Sequence, residues 1–156
     1  MEKQEIFDQV VEHLARQKVQ SQVEGICMYR GANNTKCAFG LFIPDSAYDP
    51  NFEGVSSTAF FNALDNPKQK ADGSFAFVMI KRVCDPGFSR FIALKPELAE
   101  QLQKLHPNQS LLRDLQKAHD DQTAQGWVTR LSNVARDYRL TFDETAFAKR
   151  LGHKEQ

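Results

Sequence analysis

The sequence predicts an α+β protein, mainly helical, with helices around a small core and one or two short β-hairpins. Three observations carry this expectation. Apolar residues recur at helical spacing near the N-terminus and through the C-terminal third. Between these stretches lie short runs of strand formers, bounded by Gly, Asn, Asp and Pro. The chain has 156 residues, 41% of them hydrophobic. That is one domain's length on a scale of about 100–200 residues, with a core that needs neither a disulfide nor a metal. One domain over residues 1–156 is expected, with an inserted loop or hairpin at about 66–95.

The elements follow in order. Ile6, Phe7, Val10, Val11 and Leu14 form one apolar stripe, which predicts a helix over residues 2–17. Glu2 and Glu5 suit its positive end, and Arg16 and Lys18 its negative end. Turn formers then surround Ile26-Cys27-Met28-Tyr29-Arg30, and Ala32-Asn33-Asn34-Thr35 can reverse the chain, so residues 23–37 read as a hairpin or two extended pieces. Residues 37–43 are apolar and end at Pro44. An acidic and aromatic loop fills 45–54, after which Ser56 or Ser57 caps a short helix carrying Phe60, Phe61 and Leu64.

Two extended runs, 75–83 and 88–94, flank Asp85-Pro86-Gly87 and predict a β-hairpin, with a helix at 75–83 as the competing reading. The last third is helical. Pro96 opens a helix with Leu98, Leu102 and Leu105, which His106-Pro107-Asn108 stops. Ser110 is expected to cap the next helix, with Leu111, Leu112 and Leu115. Trp127, Leu131, Val134 and Tyr138 mark a third, and Thr141 with Glu144 matches a capping box before Phe147 and Leu151.

Charge narrows the function classes. Lys+Arg and Asp+Glu number 20 each, so neither bulk attraction to nucleic acid nor an acidic solvating tail operates. From the charged opening Met1-Glu2-Lys3-Gln4-Glu5-Ile6 no export signal is expected, and no apolar run approaches about 18 residues. Three cysteines make no disulfide scaffold, so a cytoplasmic setting away from membranes is expected.

Three spaced segments stand out. They are Cys27-x-Tyr29-Arg30-Gly31, Cys37-Ala38-x-Gly40-x-x-Ile43-Pro44-Asp45 and Tyr48-Asp49-Pro50-x-x-Glu53-Gly54. Together with Leu111-Leu112-Arg113-Asp114-Leu115-Gln116-x-x-His119-Asp120 and the Trp127 helix, this pattern resembles an uncharacterised family of small phage and bacterial proteins. The likeness spans residues 6–64 and 108–140. It implies a cytosolic accessory protein, carried by phages or prophages and employed in counter-defence or host takeover. It implies no chemistry.

Zinc wants a close Cys or His pair, and neither the cysteines nor His13, His106, His119 and His153 supply one, so no metal or cofactor is expected. A thiol nucleophile at Cys37 with His119 as base is the enzymatic alternative; a core cysteine and a surface histidine are the plainer reading. Asp45, Asp49 and Glu53 at four-residue spacing offer a second alternative, a carboxylate-metal phosphohydrolase, against turn caps and an ion pair of Glu53 with Arg30. No phosphate loop or serine elbow exists, and Lys68, Lys70, Lys81, Arg82 and Arg90 are a modest basic cluster.

The expectation is therefore a non-enzymatic binding protein that occupies a host protein, as an inhibitor, or a small charged ligand. Tyr29, Arg30, Lys36, Asp45, Tyr48, Asp49 and Glu53 are the candidate binding residues. The 66–95 insert, with four of the twelve phenylalanines, would add partner contacts or meet a second copy.

Overall fold

The computed structural model describes residues 1–65, 77–81, 89–120 and 123–152. The architecture is mainly helical α+β, with six α-helices and two antiparallel strand pairs among the described residues. Within the span expected to form one domain, packing divides into two compact units. The first joins Met1–Leu41 to Ser110–Gln156, and the second is Phe42–Gln109.

The first unit is built on α1 (Lys3–Gln17): Ile6, Phe7, Val10 and Leu14 of the expected stripe are buried, whereas Val11 is only half-buried. The Glu2 N–H reaches the Glu5 carboxylate at 3.4 Å, and Lys18 ends the helix in the left-handed region (φ 61°). The chain then makes two tight reversals. Strands β1 (Gln22–Val23) and β2 (Ile26–Cys27) pair antiparallel around Glu24 and Gly25, both at positive φ. That is the mirror-image turn whose twist suits a two-residue hairpin. Asn33 and Asn34 repeat the device (φ 55° and 59°): the Thr35 N–H closes the turn on the Ala32 carbonyl, inside a bridge between Arg30 and Lys36. Asparagine tolerates this conformation better than other side-chained residues.

Helices α4 (Gln109–Asp120), α5 (Ala124–Tyr138) and α6 (Glu144–Leu151) complete this unit, and α1 packs on α5 and α6. Phe39, Leu111, Leu115, Trp127 and Leu131 are wholly buried. Phe142 meets Phe7 edge-on at 5.4 Å and Phe147 at 5.5 Å, tying α1 to α6.

The second unit holds α2 (Ser57–Asp65), strands β3 (Phe77–Lys81) and β4 (Ser89–Ala93), and α3 (Pro96–Leu105). Helix α2 packs on both β3 and α3. Its core includes Phe52, Phe60, Phe61, Leu98 and Leu102, with Phe52 and Phe60 edge-on at 5.1 Å. Strands β3 and β4 pair antiparallel, Phe77 opposite Ala93 and Lys81 opposite Ser89. This excludes the competing helix at 75–83, and fits the β-branched and aromatic content of both runs. The expected turn at 84–87, with Cys84, and the basic residues Lys68, Lys70 and Arg82 lie outside the described residues.

Two caps differ from expectation. His106–Asn108 forms a 3-10 turn and Gln109 is already helical, so Ser110 sits inside α4 rather than capping it. At α6 the cap is Asp143, which accepts from the Ala146 N–H at 2.8 Å. Thr141 is engaged elsewhere: its N–H and carbonyl both bind the Gln4 side chain, at 2.8 and 3.0 Å.

Candidate functional site

The motif residues divide between the two units, and many of their polar atoms hold backbone in place. In the first unit Tyr29 is buried, its ring tilted against Phe39 at 5.5 Å. The Arg30 guanidinium donates to the carbonyls of Tyr29 and Gly40. A Cβ at Gly40 would collide with the Tyr29 carbonyl, and one at Gly31 would lie 2.6 Å from the Gln22 nitrogen. The two glycines therefore permit close backbone approach, a packing reason for their place in the pattern. Lys36 contributes main chain: its N–H donates to Gln17 Oε1 at 2.8 Å, and its carbonyl accepts from His13 Nε2 and Gln17 Nε2 at 2.8 and 3.0 Å.

In the second unit Asp49 caps the Pro50–Phe52 turn by accepting from the Asn51 N–H at 2.8 Å. The Tyr48 hydroxyl donates to Glu53 Oε1 at 2.7 Å. Asp45 opens the Asp45–Ala47 turn after Pro44. Among the described residues no group of three or more His, Cys, Asp or Glu side chains is placed to hold a metal ion.

Cys37 and His119 are both interior. Burial pushes the Cys37 thiol up to about 12, and the Gly40 N–H donates to its sulfur at 3.1 Å. A protonated, enclosed thiol is a poor nucleophile. His119 is fully buried and lies flat on Trp127, with ring centroids 5.6 Å apart. Its Nε2 accepts from the Ser21 N–H at 3.1 Å, which puts the proton on Nδ1, donated to Asp120 at 2.7 Å. The network extends further. Gln116 donates to the same Asp120 oxygen and accepts from the Phe39 N–H, and Gln20 donates to the His119 and Asp120 carbonyls. These bonds answer the carbonyls that the end of α4 leaves open. Neither ring nitrogen of His119 is available to move a substrate proton.

Among the described residues the first unit carries a groove of about 800 Å³ along the outer face of α1. One wall is Asp8, Gln9, Glu12, His13, Arg16 and Gln17. Their spacing of three and four residues puts them on one helix face. The other wall is the turn residues Asn33, Asn34 and Thr35, with Val19 and Leu41 completing the lining. Burial holds His13 below the usual histidine value, although its hydrogen bond to the Lys36 carbonyl acts in the opposite direction. Glu12 is gripped by Arg150 at 2.6 and 3.0 Å and meets Arg16 at 3.0 Å. Arg150 is the foremost reason its carboxyl lies below the usual range.

Close by in sequence stand Val19, Val23 and Ile26, exposed by 53%, 42% and 66%. Val23 and Ile26 are register partners, so their side chains stand together on the hairpin. None of these groove or hairpin residues is a binding candidate from sequence. The available signal was the exposed apolar pair around Glu24-Gly25; the polar face of α1 reads as ordinary solvated helix.

No family model, no curated protein and no solved structure matches this chain. Among the described residues no helix is long and apolar enough to cross a membrane.

Proposed function

We propose that the chain is a non-enzymatic binding protein and that its partner, another protein, seats in the α1 groove. The observation that carries this reading is the groove itself: about 800 Å³ with a mixed polar lining that includes the exposed Val19. Exposed apolar side chains next to a concave polar surface are common at protein contacts. The interior placement of Cys37 and His119 supports binding over nucleophilic catalysis. The resemblance to small phage and bacterial proteins supplies the setting: a cytosolic accessory protein that inhibits a host protein.

The test is affinity capture from bacterial lysate with three baits. They are the natural chain, a Gln9→Arg/Asn34→Arg double variant that fills the groove from both walls, and a Tyr48→Phe/Glu53→Gln variant of the motif loop. A protein captured by the natural chain and the loop variant, and lost with the groove variant, is the expected result. Capture indifferent to the groove variant, or lost with the loop variant alone, overturns the reading.

A further inference from the structure

The charges around the groove are unevenly compensated. Glu12 is answered by both Arg150 and Arg16, so that part of the wall is internally neutral. Asp8 is different. It is exposed, and its partner is the neutral Gln4 amide at 2.7 Å, with no cation beside it among the described residues. Asp8 opens the α1 wall, Gln17 closes it, and Val19 follows just beyond. At about 1.5 Å per helical residue, that wall is about 14 Å long.

The length of the wall and the amide groups along it set the form of the occupant. An extended segment covers the same length in four or five residues at about 3.3 Å each. The Asn33 and Asn34 side chains, which make no hydrogen bond to described residues, and Gln9 offer amide donors and acceptors along the walls. Such groups match main-chain N–H and C=O.

Resting on the reading above, we infer that the groove takes an extended segment of the partner, with a lysine or arginine at the Asp8 end and an aliphatic side chain about four residues away at the Val19 end. The cation supplies what Asp8 lacks, and the aliphatic side chain covers apolar surface otherwise left in water.

The full-length protein is presented with a displayed library of random nonapeptides. Enriched sequences are expected to place Lys or Arg about four residues from Val, Leu, Ile or Met. Affinity for an enriched peptide should fall at least tenfold with Asp8→Asn and again with Val19→Asp, and reselection on Asp8→Lys should replace the basic residue with Asp or Glu. Both positions are exposed, and thermal melting confirms that the variants fold. Enriched peptides that lack the pair, yet are blocked by Gln9→Arg/Asn34→Arg, overturn the ligand assignment while leaving the groove as the binding face. No enrichment, or enrichment indifferent to the groove variant, overturns both.

Discussion

His119 spends both ring nitrogens inside the protein, on the Ser21 N–H and the Asp120 carboxylate, and no part of it reaches solvent. His13, in the same unit, spends Nε2 on the Lys36 carbonyl and stands half-buried in the wall of an open groove. The residue type is the same and the surroundings differ. Around His119 the partners are backbone groups and short-range side chains that close a loop of hydrogen bonds. Around His13 the neighbours are long polar side chains and two exposed asparagines. A fully satisfied polar network fixes a fold, whereas a concave polar surface with unspent groups is available to a ligand.

That contrast can be broken in several places. The largest effect concerns Cys37, on the enclosed side. A thiol raised from 9.0 to about 12 has a thiolate population about a thousandfold smaller near neutral pH. Alkylation of Cys37 by iodoacetamide, followed peptide by peptide, should lag behind the unfolded chain by that factor or more. Comparable rates would place the thiol in solvent rather than in the core.

Next comes His119→Ala. It leaves a cavity beside Trp127 and strips the Ser21 N–H and Asp120 of a partner, so urea unfolding should show a loss of about 3 kcal/mol. A change below about 0.5 kcal/mol, the usual surface range, would mean that the network does not hold the fold. Gly40→Ala tests the same region through the backbone. Its methyl meets the Tyr29 carbonyl, and overpacking of this kind costs about 1–3 kcal/mol. Unchanged stability would show that the backbone at Tyr29 yields freely.

The smallest effect belongs to His13. The folded protein holds it below its ordinary value while the unfolded chain takes up a proton near about 6.5. The unfolded state therefore binds more protons below that pH. Stability should be level with respect to this group above about 6.5, and should decline as pH falls toward the lower folded value. His13→Gln, which keeps an amide donor near the Lys36 carbonyl, should remove this part of the decline. Parallel stability curves for the two proteins between pH 7 and 5 would place His13 in solvent.

Much of the fold was legible locally. The Ile6, Phe7, Val10 and Leu14 stripe and the Trp127 and Leu131 spacing are periodic signals, and the runs around 85–87 a compositional one; none needs tertiary information. Caps were harder, since Asp143 and Thr141 both suit the start of α6 and the choice depends on Gln4, 137 residues from Thr141 in sequence. The groove was not legible at all. Its walls come from residues 8–19 and 33–41, and each wall alone looks like solvated helix or turn. The spaced Gly, Tyr and Arg pattern did stand out, and Gly31, Gly40 and Arg30 now have a backbone reason for doing so.

The first unit is discontinuous, and that sets a clock on biosynthesis. Phe42–Gln109 is complete before any of α5 or α6 has been made. Helix α1 must wait for those partners while more than a hundred residues are added, roughly 5–20 s at ribosomal speed. For that interval Ile6, Phe7, Val10 and Leu14 have no helix to cover them. Helix α1 thus carries an uncovered apolar stripe, open to chaperones and proteases, while the rest of its unit is being made.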